Sequence, residues 1–289
     1  SFMAAQVAAN AQKMGIDVIY FDSESAIDPT FLERAGCDLE NLLYVQAASV
    51  EFVLETIEEL LGSNDNRMLF IWDSLALTPA ISDVEGDFNP QSSMAVKARI
   101  LAKGMSKLTV PIANCQSTFL VLNQLKTNIT RSPSAVLTTP YVTPGGKAMI
   151  YAYSLRVWLT GRKAKASFIT DKNGFRIGSE VKVKLEKSRF GTQGRQCNFK
   201  ILWGEEIGIQ DEESWFDAIK SSDKLTSSGA WYSLDMGDGN VKKFQPSKWI
   251  DCMQEGSFRQ RVLDIMDEEI VKKFDKREGD ASAFYESGE

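Results

Sequence analysis

Continuous apolar runs and segments of helical period take turns along the first half of the chain. "SFMAAQVAANAQKMG" (1–15) is Ala-rich with small apolar repeats and predicts a helix that Gly15 stops. "DVIYF" (17–21) is unalternated and predicts a buried strand. "VEFVLETIEELLG" (50–62) carries Val53, Leu54, Ile57, Leu60 and Leu61, the i, i+1, i+4, i+7, i+8 stripe of a helix. "RMLFIWDS" (67–74) reads as a second buried strand, "MAVKARILAKGMSKL" (94–108) as an amphipathic basic helix, and "TFLVLNQ" (118–124) as a third strand ending in a polar pair. Buried strands alternating with helices predict an α/β fold with a parallel sheet covered on both faces.

The pattern changes after Gly161. "SEVKVKLEKSRF" (179–190) alternates with a period of two, and "QCNFKILW" (196–203) follows a Gly-containing turn, which predicts an antiparallel hairpin at the sheet edge. From Gly208 the chain turns acidic and helical, and "GAWYSLDMGDGNVKKFQPSKW" (229–249) predicts a small aromatic-packed α/β module. "DKREGDASAFYESGE" (275–289) is polar and predicts a disordered acidic tail. The expected organisation is a core over 1–208, a small C-terminal domain over 209–274, and the tail.

Composition narrows the chemistry. The chain has 289 residues, 43% hydrophobic and 25% charged, in the range of ordinary globular proteins. No apolar run approaches the roughly 20 residues that span a bilayer, so no membrane partner is expected. Four widely spaced cysteines without a CxxC pair read as reduced thiols of a cytoplasmic protein. There are no histidines, which excludes Ser-His-Asp hydrolases, Cys-His proteases and His-ligated zinc. Net charge is −6, yet residues 123–200 hold fifteen Lys/Arg against three acids, +12, leaving −18 for the rest. A block so polarised is a candidate polyanion-binding face.

In an open parallel sheet, ligands bind outside the carboxyl ends of the strands. All three predicted strands end in groups suited to a nucleotide: Asp22 and Glu24, then Asp73-Ser74, then Asn123-Gln124. An apolar run closed by Asp, "LFIWDS", has the form of a Walker B strand, whose carboxylate orients the water shell of Mg²⁺. On these residues a specific resemblance appears. "YFDSESAIDPTF", "FIWDSLALTP", "LVLNQLKTNI", "TPGGKAMIYAYSLRVWL", "VKVKLEKSRFG" and "GAWYSL" follow one another over nearly the whole chain in the order found in RecA-type recombinases. The chain resembles that family, in both its bacterial RecA and its phage UvsX-like branches.

The resemblance implies a RecA-like ATPase core over 1–208, ATP and Mg²⁺ as cofactors, and DNA recombination and repair as the activity. Partners would be single-stranded DNA, a homologous duplex and further copies of the chain in a helical filament. Glu24 matches the carboxylate that polarises the attacking water, and Gln124 the amide that senses the γ-phosphate. Asp73 would hold the Mg²⁺ shell through water, together with Ser1. Asp28 and Phe31 match positions near the adenine. Lys187 and Arg189 match cations that reach the neighbouring subunit's ATP. A first DNA loop would fall near 82–93, and a second over Leu125–Thr143. The DNA contacts implied are Arg99, Lys126, Arg131, Gly145, Gly146 and Lys147. Asp22 is left to shape its turn.

The family's GxxxxGK[ST] phosphate loop does not occur in the 289 residues. The reading is that the sequence starts within that loop, at its closing hydroxyl, Ser1, and that residues 1–289 alone hydrolyse ATP poorly. A RecA-fold hexameric helicase and a non-catalytic DNA-binding paralogue remain as alternatives. The acidic tail is expected to compete with DNA for the basic face.

Overall fold

The computed structural model describes residues 1–25, 27–85, 96–128, 141–161, 167–203 and 207–273. The chain divides into two compact units, Ser1–Tyr153 and Ser154–Glu289.

The first unit runs α1 (Phe2–Lys13), β1 (Asp17–Asp22), α2 (Pro29–Arg34), β2 (Leu42–Gln46), α3 (Val50–Ser63), β3 (Met68–Asp73), α4 (Ile81–Glu85), α5 (Val96–Asn114), β4 (Thr118–Val121), β5 (Lys126–Thr127), β6 (Tyr141–Val142) and α6 (Gly146–Ala152). Its sheet has the order β2-β1-β3-β4, and every pair is parallel. Successive strand residues point to opposite faces, so both faces must be apolar if both are covered. Ile19, Phe21, Phe70 and Trp72 point to one side and pack with Val53, Ile57, Leu101 and Leu108 of α3 and α5. Val18, Tyr20, Leu69 and Ile71 point to the other and pack against Ala4, Ala5 and Ala8 of α1. Alanines along α1 let its backbone lie close on the sheet. Each large side chain fully buried here contributes about 1.5–3 kcal/mol, and Phe21, Phe70 and Trp72 are completely enclosed.

The second unit contains β7 (Leu155–Gly161), β8 (Phe168–Thr170), β9 (Arg176–Ser188), β10 (Gln196–Trp203), β11 (Ile207–Gln210), α7 (Asp211–Ile219), β12 (Leu225–Ser228), β13 (Trp231–Asp235), β14 (Val241–Phe244), a 3₁₀ turn (Pro246–Lys248), α8 (Trp249–Met253), α9 (Gly256–Met266) and a π-helical turn (Asp267–Val271). The expected hairpin is β9–β10, paired from Gly178↔Leu202 to Lys184↔Gln196. It belongs to an antiparallel sheet of order β11-β10-β9-β7, with β8 also on β9, and not to the edge of the parallel sheet as expected, because β9 pairs with β7 and β8 instead. The C-terminal module folds β12-β13-β14 against α7, α8 and α9 around Phe216, Leu234, Phe244, Trp249 and Phe258. Phe244 and Phe258 meet edge to face at 5.5 Å and 89°, a favourable aromatic geometry. The expected tail lies outside the described residues.

Two elements of the first unit lie outside the pattern read from the sequence. Edge strand β2 carries the short apolar run LLYV yet exposes most of its length, so here an apolar run does not mark an enclosed strand. Short α2 is set by a local cap and Pro29 rather than by periodicity. Helix α5 also runs past the predicted 108 to Asn114, with Pro111 inside it.

Candidate nucleotide and DNA site

The parallel register places the predicted polar tips side by side. Asp22 pairs with Asp73, and Trp72 with Val121, so β1, β3 and β4 end at one level. Beyond them, the Ser23 amide donates to the Asp73 carbonyl at 2.8 Å, and the Leu75 amide to the Leu122 carbonyl at 3.0 Å. These bonds carry the sheet's alignment into the loops, where Glu24, Ser74 and Asn123-Gln124 follow.

The acids in this cluster are held differently. Asp22 is buried and accepts from the Glu24 amide at 2.9 Å, the Ile27 amide at 3.2 Å and the Tyr44 hydroxyl at 2.5 Å. A buried carboxylate needs such donors, and here they close the turn that presents Glu24. Glu24 is exposed, and its Oε1 accepts from the Ser74 hydroxyl at 3.1 Å. Ser23 and Ser74 lock the two tips together: Ser23 Oγ donates to the Ser74 carbonyl at 2.9 Å and accepts from the Ser74 amide at 2.8 Å. The Asp73–Ser74 peptide is cis.

Asp73 is buried; its Oδ2 accepts from the Tyr20 hydroxyl at 2.8 Å and lies 3.8 Å from the Ser1 nitrogen. Ser1 thus opens α1 beside the β3 carboxylate. The hydroxyl and carboxylate oxygens assembled there are hard donors of the type Mg²⁺ takes, and the residues fit that ion. Burial and the Asp73 carboxylate push the Tyr20 hydroxyl far above its usual ionisation range. Burial, with the Asp22 bond, raises Tyr44 as well. Both therefore stay protonated and donate.

Asp28 is the N-cap of α2; its Oδ1 accepts from the Thr30 amide at 3.0 Å. The Thr30 bonds hold the carboxyl below its usual range. Phe31 packs on the core edge-to-face with Phe2, ring centroids 5.9 Å apart. Asn123 donates to the Pro144 carbonyl at 2.9 Å and accepts from the Gln124 amide at 2.9 Å, leaving Gln124 exposed. The β5–β6 pair, Lys126↔Val142 and Thr127↔Tyr141, joins the two ends of the expected second loop. Gly145 and Gly146 follow with φ of 100° and 76°. Arg99 and Lys126 are exposed. Arg131, most of both expected DNA loops, and the Lys147 side chain lie outside the described residues.

Lys187 and Arg189 belong to the second unit, at the end of β9 and in the turn after it. Lys187 is paired with Arg156 of β7, and the Arg189 amide donates to the Ser154 carbonyl at 3.0 Å. Desolvation, then repulsion by Arg189 and Arg156, lowers the Lys187 pKa. The three cations share one patch suited to an anion.

The model of the RecA N-terminal domain matches residues 1–208. The chain belongs to the RecA family. Protein RecA of Saccharopolyspora erythraea is 31% identical over 248 residues, covering 84% of this chain and 68% of that protein. Protein RecA of Heliobacterium modesticaldum is 32% identical over the same length, with the same coverage. Protein RecA of Colwellia psychrerythraea is 28% identical over 285 residues, covering 95% of this chain and 79% of its own length. With RecA membership in place, the chain is a RecA-type DNA recombinase, and the helicase alternative is not favoured.

Tyr20, Tyr44 and Lys97 join the site without being among the residues expected from the sequence. For Tyr20 a signal existed: a hydroxyl inside a fully buried strand must find an acceptor, and the tip of the neighbouring strand β3 offers Asp73. For Tyr44 the signal was hidden with β2.

Proposed function

We propose that this chain binds ATP with Mg²⁺ at the carboxyl edge of the parallel sheet and hydrolyses it when filamentous on single-stranded DNA, in support of homologous pairing and strand exchange. The observation that carries the reading is Glu24, fixed by Ser74 and by the Asp22-built turn beside Asp73 at the start of α1.

Phosphoryl transfer to water asks the protein chiefly for position and charge. Glu24 orients the attacking water and draws its proton as the bond to phosphorus forms. Asp73, with Tyr20 holding one of its oxygens, keeps a fixed carboxylate toward the ion's water shell, and Ser1 adds a hydroxyl. Bound Mg²⁺ supplies charge neutralisation on the phosphates. The amides opening α1 favour an anion near Ser1. Gln124 projects from the neighbouring tip toward the γ-phosphate and starts the second DNA loop. We assign Phe31 to the base and Asp28, whose Oδ1 also caps α2, to the adenine amino group.

Arg99, Lys126, Arg131, Gly145, Gly146 and Lys147 would line the track of a DNA strand, cations and turn amides contacting phosphates. Lys187 and Arg189 would reach the phosphates of an adjacent copy, so that hydrolysis requires a neighbour. The core is assigned to 1–208 and the small C-terminal domain to 209–274.

The experiment compares wild type with Glu24→Gln in a polypeptide in which GxxxxGK directly precedes Ser1, so that Ser1 closes the loop. DNA-stimulated hydrolysis lost with nucleotide binding kept supports the reading; hydrolysis at the wild-type rate overturns it.

A further inference from the structure

Lys97, the second residue of α5, is half-buried and its ammonium is spent on backbone carbonyls. Nζ donates to the Leu75 carbonyl at 2.7 Å and the Thr78 carbonyl at 2.6 Å, with the Ala76 carbonyl at 3.4 Å. An ammonium has three donors and no acceptor, so one residue of α5 caps the whole turn that follows β3. That turn is the far side of the Glu24 support. Ser74 donates its hydroxyl to Glu24, while its carbonyl accepts from Ser23 Oγ and, at 2.9 Å, from Thr78 Oγ1. Thr78 in turn accepts from the Trp72 indole at 2.7 Å.

The other groups around Lys97 come from the roots of the two expected DNA loops. Burial lowers its pKa most; Asp83 of α4 raises it, and Lys126 of β5 lowers it. Asp83 enters the 82–93 segment, Lys97 stands just after it, and Lys126 enters the second. Gly145, which closes the second, abuts Leu75: a Cβ there would come within 3.3 Å of Leu75 Cδ2. The Leu75–Thr78 turn is therefore gripped from both loop roots and continuous with the Glu24 carboxylate.

We infer that Lys97 is a positioning residue that couples DNA engagement to ATP hydrolysis, by holding the Leu75–Thr78 turn and through it Ser74 and Glu24. This rests on the reading of Glu24 given above. When a DNA strand on the loops moves the α5 start, the carbonyls held by Nζ move with it, and the Ser74 hydroxyl shifts at Glu24. Hydrogen bonds to a charged donor are stronger than neutral ones, so the link transmits displacement rather than yielding to it.

The test uses Lys97→Met, which keeps length and removes the cation, and Lys97→Gln, which keeps polar hydrogens and guards against a Met variant that does not fold. Both are assayed in the loop-bearing polypeptide with and without oligo-dT. The ratio of DNA-stimulated to DNA-free kcat is expected to fall about tenfold in Lys97→Met and less in Lys97→Gln, with KM for ATP unchanged; tenfold corresponds to about 1.4 kcal/mol. The Trp72 indole N–H resonance is expected to shift on DNA addition in wild type and to stay in Lys97→Met. A folded variant with the wild-type ratio and a wild-type Trp72 shift overturns the proposal, as does an equal loss with and without DNA. A wild type without DNA-stimulated hydrolysis overturns the Glu24 reading, and this proposal with it.

Discussion

Gly145→Ala strains the point where the second loop returns to the core. Gly145 has φ of 100°, and a Cβ there would lie 2.9 Å from Met149 Cγ, 3.2 Å from Leu101 Cδ1 and 3.3 Å from Leu75 Cδ2. Met149 is flexible, but all three neighbours are fully buried, so none can swing into solvent. The backbone term is about 1–2 kcal/mol for an L-residue in the left-handed region. Overpacking adds about 1–3 kcal/mol, for a total of roughly 2–5 kcal/mol. Gly15→Ala supplies the control: φ is 71° and nothing lies within 4 Å of its Cβ, so it carries the backbone term alone. Native-state hydrogen exchange at the β3 amides of Ile71 and Trp72 reads the opening of the first unit by itself. Gly145→Ala is expected to lower that opening free energy by at least about 1 kcal/mol more than Gly15→Ala. Equal effects of the two substitutions would refute it.

Other consequences are as direct. Tyr20→Phe removes the hydroxyl from Asp73 without changing the packed ring, and should raise the Mg²⁺ concentration needed for half-maximal hydrolysis several-fold; an unchanged Mg²⁺ titration contradicts the role given to Tyr20. Tyr20 also keeps its proton when folded at pH values where the unfolded tyrosine, ordinarily near 10.0, has lost it. The unfolded state then binds fewer protons, so stability falls as pH rises past 10, with a slope approaching about 1.4 kcal/mol per pH unit for this group. In Tyr20→Phe, thermal melts between pH 9 and 11 should show a shallower decline. Finally, Glu24→Gln and Lys187→Met should each be inactive alone, yet a one-to-one mixture should regain about a quarter of wild-type hydrolysis, because one interface type in four joins an intact Glu24 to an intact Lys187. A mixture as inactive as its components contradicts a shared site.

What the sequence disclosed follows burial. Strands β1 and β3 are enclosed on both faces, so their apolar runs are continuous and their ends visible, and the carboxylates at those ends were found with them. Edge strand β2 has one buried residue at Leu42 and exposes Leu43 and Tyr44, a pattern no period marks. Asp22 and Asp28 show the limit for acids. Both lie in one turn, and only backbone geometry assigns one to three internal donors and the other to a helix cap. Lys97 was illegible because its partners are carbonyls, which every sequence offers everywhere. The roles proposed for Lys187 and Arg189 rest on the resemblance to the family, since an alternating basic strand alone names no role for either.

The most direct measurement is the steady-state DNA-stimulated ATPase of Glu24→Gln in the loop-bearing polypeptide, taken together with its affinity for ATP. With Glu24 as the water-positioning carboxylate, kcat falls by about a hundredfold or more while ATP binds as in wild type. Hydrolysis within about twofold of wild type at saturating DNA would contradict the assignment and remove the centre of the proposed site.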